Sequence, residues 1–449
     1  MASTPVHADS PLPTQNAAPR VDSREALQHA ARLVQQGMLD EAEYEARRAL
    51  ADPDTRAAAY SVLGTIRVQQ KRFDDGITFF KKAIALDDHL PGANLSLAQV
   101  YLLQGEPELA MPLFERVLKL DPRLAAVSPD LATKFGVLFA THGAAAEAIA
   151  IFERVRDTSA PSYELAFNLA GAYLLNGDEA RALDTYDEAL AAKRDSLPAL
   201  RQAAGVAERR GELERSLSYW LRAKKIAPED AEILLGFGRV CLRMDLLEDA
   251  EPALIKAASL KPNDITCQYT LAAAKVGKRQ FDAARQLLEP LVAAHAGDAR
   301  LEYALGSVLY LQGQLPDAAA RLRESLRLQP DQLASAYYLA LVVRDEGNDG
   351  EAIRMLESLL GRFPDHAAAS EVLGGLLMTA QRYDEAERRL RDAIRLNPKS
   401  VKANYQLGLL LARMGRKEDS ERQLALAKTL REEDAANSRL QLRLLDPGQ

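Results

Sequence analysis

The feature that constrains this chain most is a set of small side chains returning at a fixed interval. Counting from residues 23, 57 and 91, and then from 129, 163, 197, 231, 265, 299, 333, 367 and 401, the eighth position reads Ala30, Gly64, Ala98, Gly136, Ala170, Ala204, Gly238, Ala272, Gly306, Ala340, Gly374 and Gly408. The twentieth reads Ala42, Gly76, Ala110, Ala148, Ala182, Ser216, Ala250, Ala284, Ala318, Ala352, Ala386 and Ser420. Two antiparallel helices approach closely only where compact residues face each other and leave room for neighbouring knobs. The knobs recur as well. Position seven carries Leu63, Leu97, Phe135, Leu169, Phe237, Leu271, Leu305, Leu339, Leu373 and Leu407, and position twenty-four runs Phe80, Phe114, Phe152, Tyr186 and Trp220 before changing to Leu254, Leu288, Leu322, Leu356, Leu390 and Leu424.

Turn residues divide each period into two helices. Gly37, Gly105, Gly143, Gly177, Gly211, Gly313, Gly347 and Gly415 stand at position fifteen, where a first helix stops. Pro122, Pro228, Pro262, Pro330, Pro364 and Pro398 stand at position thirty-two and break the second. A 34-residue helical hairpin of this kind resembles the tetratricopeptide repeat, and the fullest match is residues 91–124, with Leu97, Ala98, Tyr101, Gly105, Ala110, Phe114 and Pro122 on the family's signature positions. The resemblance covers residues 23–434. It implies an all-α fold, a right-handed superhelical solenoid of about twelve repeats closed by a C-terminal capping helix. The expected organisation is a disordered, Pro-rich tail over 1–22, repeats one to three over 23–124, an insertion at 125–128, repeats four to twelve over 129–434, and a capping helix and tail over 435–449. The insertion is read either as a hinge or as a one-turn helix extension or slack loop with no role.

Charge and cysteine usage narrow the function. A formal net charge of -7 provides no basic face for phosphates, which argues against nucleic acid as a partner. The steps of 34 from 129 to 401 also argue against the 35-residue RNA-reading pentatricopeptide pattern. Cys241 and Cys267 form no Cys-x-x-Cys pair and read as small core residues in a reducing compartment. Residues 1–21 contain Pro5, Pro11, Pro13 and Pro19 and no apolar run, so neither a signal peptide nor membrane insertion is expected, and the expected localisation is cytoplasmic. The Ala- and Arg-rich style suggests a bacterium with a GC-rich genome. No His-Glu-x-x-His, Gly-rich phosphate loop or Gly-x-Ser-x-Gly elbow occurs, and we expect no enzyme activity, no metal and no cofactor.

The resemblance implies a partner instead: a protein or peptide segment held against the first helices of the repeats. The groove-facing fifth position reads Leu235, Tyr269, Tyr303, Tyr337, Glu371 and Tyr405 in the C-terminal half, a candidate aromatic ladder whose tyrosines either touch a ligand or pack against the next helix. Arg239, Arg243, Arg344 and Arg413 lie on the same helices and are candidates for pairing with an acidic partner. The Lys and Asn clamp of chaperone-tail binders is replaced by pairs such as Leu95 with Gln99, Tyr303 with Ser307 and Tyr405 with Leu409. The Asn ladder of glycosyltransferase-linked arrays is reduced to Asn168. The resulting expectation is a scaffold or adaptor, with a regulatory or substrate-targeting subunit of a separate enzyme complex as the alternative.

Overall fold

The computed structural model describes residues 23–120, 129–158 and 162–434. The N-terminal tail, the insertion at 125–128 and the expected capping segment at 435–449 lie outside the described residues. Within them there are twenty-four helices and no strand, from Ser23–Gln36 to Lys417–Asp434. First and second helices alternate, as Tyr163–Leu175 with Glu179–Ala192 or Ala299–Leu311 with Leu315–Leu328, with lengths of 13 and 14 residues. This is the α-solenoid that the periodicity requires.

The reason each first helix ends where it does is uniform. Gly37, Gly105, Gly143, Gly177, Gly211, Gly313, Gly347 and Gly415 have φ between 75° and 86°, in the left-handed region that only glycine enters without steric cost. The four repeats without glycine adopt the same backbone: Lys71, Asp245, Arg279 and Gln381 have φ between 58° and 62°. At each of these reversals the next residue's N–H bonds back to the carbonyl five residues earlier. Examples are Glu106 to Tyr101 at 2.8 Å, Leu246 to Cys241 at 2.8 Å and Arg382 to Leu377 at 2.9 Å. The orphan carbonyls of the last turn are thereby satisfied. Second helices such as Leu213–Ile226, Leu247–Leu260 and Tyr383–Leu396 end two residues before Pro228, Pro262 and Pro398. Several of the following first helices are then started by a side chain that caps them, with Asp230, Asp264, Asp298 and Ser400 each accepting from a backbone N–H of the first turn.

The small positions are where the two helices of a hairpin touch. A Cβ on Gly76 would lie 3.3 Å from the carbonyl oxygen of Gly64, and the Ser420 hydroxyl donates to the carbonyl of Gly408 at 2.8 Å, so positions eight and twenty face each other directly. The position-twenty-four side chain fills the space left by the missing eighth side chain. A Cβ on Gly64 would come within 2.6 Å of the Phe80 ring, and one on Gly374 within 2.7 Å of Leu390.

The chain divides into two units, residues 1–206 and 207–449. The core of the first is ring-rich: Phe80, Phe114, Phe135, Phe139 and Phe152 are buried together, with Phe114 and Phe135 centroids 5.0 Å apart. In the second, aliphatics such as Leu288, Leu305, Leu322, Leu356, Leu373 and Leu390 fill the equivalent places.

Two outcomes test this account. Replacing Lys71, Arg279 or Gln381 with Gly relieves a left-handed non-glycine residue, and each change is expected to stabilise its hairpin by about 1 kcal/mol, read as a rise in the denaturant midpoint. Gly374→Val forces a branched side chain against Leu390 and is expected to cost about 3 kcal/mol. Because repeats depend on nearest neighbours, hydrogen exchange should accelerate in residues 333–434 and stay unchanged in the first unit.

Candidate functional site

In the second unit the first helices carry a cluster of four tyrosines beside an open cleft of about 990 Å³. Tyr303 and Tyr310 come from Ala299–Leu311, two turns apart on one face. Tyr337 and Tyr338 are adjacent on Leu333–Asp345, and Leu333, Leu341 and Leu396 complete the apolar wall. Tyr338 is the hub. Its ring lies 5.8 Å from Tyr303, 5.8 Å from Tyr310 and 5.7 Å from Tyr337, all edge to face, the arrangement favoured by aromatic quadrupoles. His366 closes one side with its ring 4.9 Å from Tyr337, and its Nδ1 accepts the Ala369 N–H at 3.0 Å, capping the helix Ala367–Thr379.

Polar groups outside the lining hold the Tyr310 hydroxyl in place. The Tyr310 hydroxyl donates to Asp345 at 2.9 Å, and Arg344 donates to Asp345 at 2.7 Å and to the Tyr310 oxygen at 3.3 Å. Burial and the Asp345 carboxylate push the Tyr310 phenol up to about 12, and burial pushes Tyr338 up to about 12, so both are neutral donors at physiological pH. Burial likewise raises Tyr337. Burial opposes ionisation of Asp345, but the hydrogen bonds from Arg344 and Tyr310 outweigh it and hold the carboxyl below its ordinary range. On the opposite wall Glu371 accepts from the Ser400 hydroxyl at 2.5 Å and pairs with Lys402 at 3.2 Å.

The residues anticipated from the sequence separate into two groups. Tyr303 and Tyr337 belong to the cleft and Arg344 bonds to its Tyr310 from outside the lining, whereas Leu235, Arg239, Tyr269, Tyr405 and Arg413 are not part of it. Tyr303 is 0% exposed, so it supports Tyr338 from behind and has no accessible surface to offer a ligand in this conformation. Leu235 and Tyr269 are half-buried, Arg413 is exposed, and Tyr405 is 51% exposed. The expected free arginines are largely engaged within the chain. Arg239 donates to both oxygens of the buried Glu208 at 2.8 and 2.7 Å, and Arg243 donates to the Glu208 carbonyl at 3.1 Å. The Glu208 hydrogen bond is the main reason the Arg239 guanidinium is held above its ordinary pKa. Tyr310, Tyr338 and His366 were not singled out from the sequence. The Tyr337–Tyr338 doublet and the seven-residue step from Tyr303 to Tyr310 were the available signals.

A stack of 34-residue helical hairpins, each reversed by a left-handed cap and lending first-helix side chains to an aromatic cleft, defines a class of repeat proteins. Two family models of the tetratricopeptide repeat match the chain, one at residues 67–128, 140–205 and 343–393, the other at 27–91, 269–332, 303–353 and 373–435. The chain belongs to the tetratricopeptide repeat family. BBSome complex member BBS4 of Bos taurus is 24% identical over 265 residues, covering 58% of this chain and 50% of that protein, so the chain spans about half the length of that relative. Among solved structures, Cut9–Hcn1 of the APC/C hetero-tetramer aligns with a TM-score of 0.47 and 13% identity over 95% of each chain. Yeast Tom70 aligns with a TM-score of 0.41 and 14% identity over 93% of this chain and 97% of that one.

The arrangement suits recognition: aromatic faces, neutral hydroxyl donors and a rim of paired charges. Among the described residues no group of three or more His, Cys, Asp or Glu side chains is placed to hold a metal ion, and no helix is long and apolar enough to cross a membrane. Cys241 and Cys267 are buried, and burial pushes both thiols up to about 11. At pH 8 that leaves them about two orders of magnitude less thiolate than a free cysteine. Alkylation of the native protein by iodoacetamide is therefore expected to be slow at both sites and rapid only in denaturant, measured by intact mass.

Proposed function

We propose that this chain is a non-enzymatic scaffold or adaptor that holds an extended or helical segment of a partner protein in the cleft between Tyr310 and Ser400. The observation that carries this reading is the cleft itself, in which Tyr337 and Tyr338 offer large, rigid ring faces while their neighbours are locked by the Arg344, Asp345 and Tyr310 hydrogen bonds. A ring already fixed by packing loses little rotamer entropy when a ligand covers it, which is why such residues dominate binding energies. Membership in the tetratricopeptide repeat family supports a protein-interaction role in general. That BBS4 of Bos taurus is a complex member favours a second form of the same reading, in which the chain acts as a regulatory or targeting subunit within a larger assembly.

The test is selection of binding peptides from a random display library on the full chain, followed by titration of the enriched peptides. Tyr337→Ala is expected to weaken them by about 2 kcal/mol, roughly thirtyfold in Kd. Tyr405→Ala, outside the cleft, should leave affinity unchanged. Enriched peptides that bind Tyr337→Ala as tightly as the native chain, with both proteins melting alike, show that the cleft is not the site.

A further inference from the structure

The last helix differs from the other second helices in a way that bears on this cleft. Lys417–Asp434 is 18 residues long, where its counterparts Leu315–Leu328, Asp349–Arg362 and Tyr383–Leu396 have 14. Its register against the preceding helix is fixed by two contacts: the Ser420 hydroxyl on the Gly408 carbonyl at 2.8 Å, and the Gln423 amide on Asn404. The antiparallel pairing then sets Lys428 level with Ser400, the N-cap of Val401–Arg413. From there to Asp434 the helix continues for about 9 Å at about 1.5 Å per residue. Ser400, with Leu396 and Asn397, is also part of the cleft lining. The chain therefore leaves the described structure about 9 Å beyond the level of Ser400, a residue of the cleft lining. Residues 435–449 follow, and a segment of that length reaches as far as about 50 Å when extended. The cleft lies well inside that reach.

The composition of these residues fits the cleft. Leu440, Leu442 and Leu444 alternate with Arg439, Gln441 and Arg443, so an extended backbone puts three leucines on one side and two guanidinium groups on the other. The cleft presents a surface complementary to the leucines. Its wall of leucine and tyrosine side chains is apolar. The rim carboxylates are already paired, Asp365 with Arg395 at 3.8 Å and Glu371 with Lys402 at 3.2 Å, so the apolar wall and not charge carries the fit.

We propose that the segment 435–449 of this chain occupies the tyrosine cleft, leucines inward, as an internal competitor for partner segments. The proposal rests on the reading of the cleft as a peptide site and names its first occupant. A tethered ligand faces the cleft at a millimolar effective concentration, so a partner segment must bind tightly enough to displace it.

The experiment uses two full-length proteins, the native chain and one carrying Leu440→Ser, Leu442→Ser and Leu444→Ser. The probe is a fluorescent synthetic peptide of residues 435–449 bearing a diazirine leucine in place of Leu442. The triple variant is expected to bind the probe about tenfold or more tightly than the native chain, whose cleft is already filled. Irradiation should cross-link the probe to peptides spanning 333–341 and 362–371, and Tyr337→Ala in the triple variant should abolish the binding. Equal affinity for both proteins overturns the proposal, as do cross-links confined to 401–434, which place the segment over the last hairpin instead. Library peptides that fail to engage the cleft while the probe still cross-links there sink the partner-binding reading and leave this one standing.

Discussion

Close approach of two backbones holds each hairpin together. Where position eight has no side chain or a methyl group, the second helix comes near enough for the Ser420 hydroxyl to bond the Gly408 carbonyl, and for Phe80 or Leu390 to occupy the volume a larger residue would take. The consequence propagates outward. A hairpin this tight exposes an apolar flank it cannot cover by itself, and only the next hairpin can cover it. The aromatic cleft is a by-product of that stacking, since Tyr338 reaches Tyr303 and Tyr310 on the preceding first helix only because the repeats sit at that spacing.

Charge adds a second layer of register between neighbouring repeats. Glu43 accepts from Arg67 at 2.6 Å, Glu251 takes both Lys275 and Lys278 at 2.6 Å, and Glu387 takes Arg416 at 2.8 Å. These three carboxylates occupy the same position of their repeats, just after the small twentieth residue, and each bonds a cation from the repeat that follows. The Arg67 hydrogen bond keeps the Glu43 carboxyl below its ordinary pKa, and those of Lys275 and Lys278 do the same for Glu251. Pairs of this kind contribute little net energy when exposed. Their value lies in fixing which turn of one hairpin meets which turn of the next, a choice that interchangeable leucines leave open.

Much of this fold was legible because it depends on residue size at fixed intervals, and size is what a sequence displays most directly. The eighth, fifteenth, twentieth and twenty-fourth positions could each be read without coordinates. The cleft was legible only in part. Tyr337 belongs to the ladder seen in the sequence, but Tyr303 on the same ladder is buried completely, because its ring is covered by Tyr338 from the next repeat. Arg239 looked available, yet it is committed to Glu208, a residue 31 positions earlier. Such outcomes depend on which side chains the stacking brings face to face, information that a period alone does not contain. The four non-glycine reversals at Lys71, Asp245, Arg279 and Gln381 show the converse, with the repeating architecture imposing a backbone that the local residue disfavours.

The constancy of the helix lengths has a consequence for how such a chain can change over generations. Because the hairpins beginning at Tyr163, Leu197, Ala231, Ile265, Ala299, Leu333 and Ala367 share one length, a duplication or excision of one whole period joins ends that are already equivalent in position. Changes of any other size leave an unmatched stub in the middle of a stack. The molecule therefore lengthens or shortens in whole modules, and its cleft, spread over three consecutive modules, can be carried from one place in the array to another only as a block.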